Sequence, residues 1–283
     1  MTMHSLHDVL APAKLNLFLH ITGRRDDGYH LLQSVFMLID WCDTLHFDRR
    51  EDGVIEREDL TIALPEDDLV MRAARSLQQA SGTHWGAHIA IEKQIPAQAG
   101  MGGGSSDAAT TLLALNRLWG LNWPLSQLVP LGLSLGADVP FFLYGHNAWV
   151  EGIGEKIQAI ALPPARFAVV KPHAGVETAG IFRHPELRRD SETATMPVFA
   201  VNPYGFGRND LQPVAQALCP EIDQALQWLI SFGLSPRMTG SGSAVFAQLP
   251  DGVQIDLPPR NWQMRICSNM AVHPQAGWAA SES

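Results

Sequence analysis

Residues 100–107, Gly100-Met101-Gly102-Gly103-Gly104-Ser105-Ser106-Asp107, place four glycines directly before three polar side chains. Glycine lets a backbone approach a ligand closely and takes positive φ at little cost. Ser105, Ser106 and Asp107 are strong helix N-cap types. The order therefore predicts bare backbone N–H groups feeding a helix N-terminus, an arrangement that favours an anion. A nucleotide phosphate is the obvious anion, and a plain structural turn is the alternative. Ser105 follows Gly104 with no Lys between them, so this is not the P-loop order. The segment also lacks the early βαβ setting of a dinucleotide fingerprint.

Three further sets of residues could join this loop. Lys14 and Asn16 lie two apart in an alternating stretch and so project from one face of a strand. Lys14 could meet a phosphate or a carboxylate, or it could snorkel to solvent. Asp138 stands between Gly136 and Pro140, and Pro140 predicts an extended Val139. That puts Asp138 on a stiff turn before a short apolar strand, as a functional carboxylate or an Asx-turn. Tyr29-His30 follows the turn signal Asp27-Gly28 and reads alone as an ordinary loop pair.

The elements that must position these groups are legible in outline. Residues 13–21 alternate, with Ala13, Leu15, Leu17 and Leu19 on one face and Lys14, Asn16, Phe18 and His20 on the other. Residues 31–41 form a nearly unbroken apolar run, consistent with a buried strand. Residues 44–47 and 54–58 flank Glu51-Asp52-Gly53 and predict a hairpin. Helices are expected over 69–80, over 108–119 as an amphipathic helix stopped by Gly120, before Gly136, and over 221–232. Strands are expected over 88–94, 148–151, 166–170 and 264–267, and after the second glycine-serine turn, Gly240-Ser241-Gly242-Ser243. Elements mix without regular βαβ alternation, which predicts an α+β fold with antiparallel sheets.

The chain has 283 residues, a length that suggests two domains, with Pro163-Pro164 as the joint. A hydrophobic content of 46% provides for a large core. The net charge of −9 argues against a nucleic-acid partner. The pairs Arg24-Arg25 and Arg188-Arg189 read as solvated faces. No apolar run suits a transmembrane helix, and the start of the chain, Met1-Thr2-Met3-His4-Ser5, carries no secretory pattern. Cys42, Cys219 and Cys267 are widely spaced and read as free thiols of a cytoplasmic protein.

Ala11-Pro12-Ala13-Lys14-Leu15-Asn16 resembles the first motif of the GHMP small-molecule kinases. Residues 96–106 resemble their phosphate loop, and Met238-Thr239-Gly240-Ser241-Gly242 their third motif. Residues 14–19, Gly28-Tyr29-His30 and residues 135–142 narrow the resemblance to the branch that phosphorylates a cytidine diphosphate-linked polyol for isoprenoid precursor synthesis. Order and spacing hold over most of the chain.

The resemblance implies a two-domain α+β kinase fold with mixed and antiparallel sheets and a cleft between the domains. Residues 1–160 would be the ATP-binding domain and 161–283 the substrate-side domain. Lys14 and Asp138 match the catalytic pair. Pro96, Ala97, Gln98, Ala99, Gly100, Met101, Gly102, Gly103, Gly104, Ser105 and Ser106 match the nucleotide-binding loop. Asn16, Tyr29, His30 and Phe182 match substrate-binding positions, with Tyr29 and His30 around the cytosine and Phe182 against the base.

ATP would be the co-substrate, with Mg²⁺ expected beside it and no dedicated protein ligand set, although Ser106 or Asp107 could touch the ion. The partners would be small molecules, without nucleic acid, membrane or a required protein. Two departures stand out. Ala97-Gln98-Ala99 replaces a stretch often richer in glycine. Asp68 stands where an Asn often meets adenine, and an ionised Asp cannot donate. The same motifs admit a relative acting on homoserine or mevalonate, or a nucleotide-binding module without catalysis.

Overall fold

The computed structural model describes residues 3–281; Met1 and Thr2 of the N-terminal stretch lie outside the described residues. The elements run β1 (Ser5–Arg24), β2 (His30–Arg50), β3 (Ile55–Asp59), α1 (Leu69–Ser81), β4 (Gly86–Glu92), α2 (Gly103–Leu118), α3 (Leu125–Leu135), α4 (Val139–Tyr144), β5 (Ala148–Gly152) and β6 (Lys156–Ala159). They continue with β7 (Arg166–Lys171), α5 (Thr178–Arg183), α6 (Met196–Val201), α7 (Gln212–Leu218), α8 (Pro220–Ile230), β8 (Arg237–Met238), β9 (Val245–Gln248) and β10 (Gln263–Ser268). One sheet is ordered β3-β4-β2-β5-β6, with β1 also paired to β2, and a second is ordered β10-β7-β9-β8. This is the α+β class that the mixed pattern predicts.

The expected hairpin after β2 does not form. β3 joins β4 in parallel, Ile55 opposite Ala87, while β4 takes the antiparallel place beside β2. The composition of β3 explains its edge position. Ile55-Glu56-Arg57-Glu58-Asp59 is charged and half-exposed, which suits a strand with one free edge. In β4, Ala87, Ile89 and Ile91 are buried and suit the interior. Among the described residues, the β3–α1–β4 crossover makes the one parallel pairing between named strands.

A register shift in β1 alters the facing read from simple alternation. Asn16 opposes Phe36, but Leu19 opposes Ser34, so one extra residue is accommodated between them. A bulge of this kind reverses the facing beyond it. Ala13, Leu15, Leu17 and Phe18 pack in a core shared by the two sheets, with Met37, Phe167, Val169 and Phe246. Leu19 and Ile21 instead join the core of the second sheet with Leu226, Leu229 and Val245. One strand thus serves both units while keeping Lys14 and Asn16 side by side.

α2 begins five residues earlier than expected, at Gly103, with Gly102 as its N-cap at φ 71°. The glycines form the first turn themselves, and Ser105, Ser106 and Asp107 lie inside the helix. It is not amphipathic in the ordinary sense. Thr110, Thr111 and Asn116 are buried along with its leucines, because α1, α3, α4 and β1 pack around it. Beyond β10 the chain returns to the first unit, where the N–H of His273 donates to the Gly145 carbonyl at 2.8 Å.

Candidate active site

The three glycine- and lysine-bearing segments, distant in sequence, converge. The Lys14 N–H donates to the Met101 carbonyl at 2.9 Å, fastening β1 to the glycine loop. The Asn16 N–H donates to Thr239 Oγ1 at 2.9 Å. Ser243 and Ala244 donate backbone N–H groups to the carbonyls of Gln98 and Ala99, at 3.1 and 3.2 Å. Gly100, at φ +72°, meets the second turn so closely that a Cβ there would lie 2.3 Å from the Thr239 carbonyl oxygen. Gln98 takes φ 51°, a left-handed conformation at the position where glycine is absent from this loop.

Lys14 is almost completely buried, yet its ammonium is well supplied. It donates to Asn16 Oδ1 at 2.5 Å and lies 4.6 Å from the Phe36 ring centroid, a favourable cation–π separation. Its Nζ is 3.5 Å from Asp138 Oδ2. Asn16 is held in turn by donating through Nδ2 to Ser34 Oγ at 2.9 Å.

Asp138 occupies the N-cap position of α4 with right-handed backbone angles of −85° and −15° and makes no side-chain cap hydrogen bond. Val139 is helical, not extended, because Pro140 lies in the first turn, where its missing N–H costs nothing. The expected strand after Asp138 is therefore a short helix, and the carboxylate sits at its start, one-third exposed.

Gly102 closes the arrangement. A Cβ on it would stand 3.0 Å from Phe142 Cζ and 3.3 Å from Lys14 Cε. Beyond it, the first turn of α2 leaves the N–H groups of Gly103, Gly104 and Ser105 without intrahelical acceptors. Ammonium, carboxylate and amide cradle thus share one location. They adjoin a cleft of about 710 Å³ lined by every residue from Pro96 to Ser105. Val176, Thr178 and Ser241 of the second unit form its facing wall, with Thr178 Oγ1 and Ser241 Oγ 2.7 Å apart. Leu64, Leu69 and Ile95 make its apolar end.

Asp68 lines this cleft too, but its carboxylate is engaged. It caps α1 by accepting from the Met71 N–H at 3.0 Å and accepts from Arg57 Nη1 at 2.5 Å.

The other candidates form a second group. His30 and Phe182 come together with ring centroids 5.1 Å apart and planes at 36°. Tyr29 does not join them: its side chain is 61% exposed, and its N–H is tied to Asp27 Oδ1 at 3.2 Å. Arg189, read from sequence as part of a solvated pair, instead donates through Nε to His30 Nε2 at 3.0 Å. Burial, and then the charges of Arg189 and Arg24, hold the His30 pKa below the usual histidine value.

A buried charge cluster beneath the loop has no signature in the spacing. Lys93 Nζ donates to Asp107 Oδ2 at 2.5 Å and also to Asp43 Oδ2. Asp43 Oδ1 accepts the N–H groups of Gln94 and Ile95 at 2.5 and 2.8 Å. Burial pushes the Asp107 carboxyl well above the usual carboxylate range, against the pull of Lys93. Burial works against the Lys93 ammonium too, but Asp107 and Asp43 outweigh it and hold its pKa above the ordinary value. Asp43 lies fifty positions from Lys93 in sequence, so only the pairing of β2 with β4 brings them together.

Comparison with known proteins identifies the family. The family model for the GHMP kinases N terminal domain matches residues 68–146, and that for the GHMP kinases C terminal domain matches residues 201–255. The 4-diphosphocytidyl-2-C-methyl-D-erythritol kinase of Albidiferax ferrireducens is 68% identical over 280 residues, covering 99% of this chain and 98% of its own length. That of Paracidovorax citrulli is 64% identical over 284 residues, covering 99% and 100%. A crystal structure of 4-(cytidine 5'-diphospho)-2C-methyl-D-erythritol kinase superposes with a TM-score of 0.77 at 32% identity, covering 93% of this chain and 98% of the other. The chain belongs to the GHMP kinase family, in its 4-diphosphocytidyl-2-C-methyl-D-erythritol kinase branch.

Proposed function

We propose that Asp138, Lys14 and the glycine loop together carry phosphoryl transfer from ATP to the 2-hydroxyl of 4-diphosphocytidyl-2-C-methyl-D-erythritol. The chain is an ATP-dependent phosphotransferase of isoprenoid precursor biosynthesis. The observation that carries the residue assignment is the 3.5 Å approach of Lys14 Nζ to Asp138 Oδ2, beside the Gly102 turn. Phosphoryl transfer asks a protein for positioning and charge stabilisation more than for covalent chemistry. The N–H groups of the α2 first turn hold phosphate oxygens. Asp138 accepts the proton of the substrate hydroxyl or orients that hydroxyl. Lys14 offsets charge that grows on the transferred group. Asn16 holds Lys14 in line while keeping its own amide near the polyol.

Nucleotide and substrate take different walls in this reading. The adenine fits the apolar end at Leu64, Leu69 and Ile95. Because Arg57 and the α1 cap engage Asp68, base recognition there falls to shape and backbone. His30 and Phe182 hold the cytosine, with Tyr29 closing over it from its exposed position.

Mg²⁺ belongs to the same proposal, and the residues fit it. Mg²⁺ keeps water and phosphate ligands readily, and among the described residues no cluster of three or more His, Cys, Asp or Glu could hold an ion. Ser106 Oγ is buried at the first turn of α2 without a hydrogen-bond partner, and it would provide the protein contact. When bound, the ion neutralises charge on the phosphates.

A cytoplasmic setting without nucleic-acid, membrane or protein partners completes the reading. The buried free thiols of Cys42, Cys219 and Cys267 support a reducing compartment. No helix among the described residues is long and apolar enough to cross a membrane.

The test is a phosphorylation assay offering the cytidyl-linked polyol, homoserine and mevalonate in parallel. Turnover with the cytidyl substrate alone is expected. Turnover with homoserine or mevalonate would move the chain to another branch. ATP binding with no turnover on any alcohol would leave a nucleotide-binding module.

A further inference from the structure

Arg189 presents a constraint that the reaction as described does not use. A guanidinium carries only donors, and here they are almost all committed. Nη1 donates to the Leu187 carbonyl at 2.8 Å, and Nη2 to the carbonyls of Phe182 and His184 at 3.1 and 2.9 Å. These three contacts fix the fork on the end of α5 and the segment that follows it. The remaining Nε–H is aimed at His30 Nε2, 3.0 Å away. An Arg cannot accept, so Nε2 must carry the lone pair. The imidazole is then neutral, with its single proton on Nδ1. Burial and the charges of Arg189 and Arg24 lower the His30 pKa in the same sense.

We propose that Arg189 is a positioning residue that fixes His30 as a neutral Nδ1–H donor, directed to an acceptor atom of the cytosine ring. This rests on the assignment of His30 and Phe182 to the base. An unconstrained histidine divides its proton between two nitrogens and is partly charged near pH 6.5. Arg189 removes both ambiguities before substrate arrives, so the cost of choosing one tautomer is met in the free protein. The same guanidinium clamps the Phe182 carbonyl, which sets ring and imidazole as one unit.

The test combines spectroscopy with kinetics on the full chain. Nitrogen-15 NMR of the wild-type protein should show His30 protonated on Nδ1 alone and still neutral at pH 6.5. In Arg189→Met the ring should become a tautomer mixture and titrate nearer 6.5. The KM for the cytidyl substrate should rise on the order of tenfold and gain a pH dependence near that value, while kcat and the KM for ATP stay unchanged. In a His30→Ala background, Arg189→Met should add little, because its effect passes through the imidazole.

A wild-type His30 protonated on Nε2, or additive effects of the two substitutions, would overturn the proposal. If Arg189→Met does not fold, Arg189→Lys keeps the charge while losing the fork, and the wild-type spectrum needs no variant. Should His30→Ala leave the KM for the cytidyl substrate untouched while the wild-type tautomer is as expected, the base assignment fails instead.

Discussion

Asp43→Asn and Asp107→Asn, compared side by side, test the charge cluster under the glycine loop. Asp43 is fully buried and accepts three hydrogens: from Lys93 Nζ, from Gln94 N at 2.5 Å and from Ile95 N at 2.8 Å. An Asn there has one oxygen. If that oxygen serves the two amides, its NH₂ faces the ammonium, and if it serves Lys93, the amides lose their acceptor. Breaking a buried pair from one side costs roughly 3–5 kcal/mol.

Asp107 differs because only its Oδ2 is engaged, accepting from Lys93 Nζ at 2.5 Å, while its buried Oδ1 has no hydrogen-bond partner. An Asn there keeps the one acceptor that Lys93 uses, so Asp107→Asn should cost about 1 kcal/mol or less. Urea unfolding of both variants at pH 7 measures the difference. Gln94 and Ile95 lead directly into Pro96, so Asp43→Asn should also raise the KM for ATP more than that for the cytidyl substrate. A larger stability loss in Asp107→Asn, or equal losses in both, would refute the reasoning.

Three further outcomes follow from particular contacts. Gly102→Ala forces a left-handed residue, costing about 1–2 kcal/mol, and presses on Phe142 and Lys14; kcat should fall roughly 10–100-fold, measured at saturating substrates. Phe182→Ala should raise the KM for the cytidyl substrate while leaving that for ATP near wild type, and equal changes in both would make the ring structural. His273 is buried with its pKa depressed by burial to about 3. A histidine depressed in the folded state adds stability above its unfolded pKa of about 6.5, and that stability is lost as pH falls towards 3. Wild type should therefore lose about 1.4 kcal/mol per pH unit across this window relative to His273→Gln, read from unfolding curves at stepped pH.

The site was legible where chemistry and local periodicity coincide. Lys14 and Asn16 two apart in a strand implied one face, and in the fold they are hydrogen-bonded. The glycine run announced a helix N-terminus, although its start was misplaced because glycine is a poor helix former and its role as first turn depends on burial of the whole helix. The bulge after Asn16 left no trace in the alternation, since Leu17, Phe18 and Leu19 are apolar and fit either face. β3 was misassigned to a hairpin because a turn at Gly53 does not say which strand comes next in the sheet. Asp43, Lys93 and Arg189 were invisible for a common reason. Each is a charged residue whose meaning comes from a partner across the sheet or in the other unit, and no local pattern records that.

The most direct test is turnover by Asp138→Asn, measured at saturating ATP and cytidyl substrate alongside its unfolding curve and its ATP affinity. A loss of roughly 10²–10⁴-fold in kcat, with fold and ATP binding retained, is the expected result if the carboxylate takes the proton. Turnover close to wild type would contradict it, and the ammonium 3.5 Å away would then need another role.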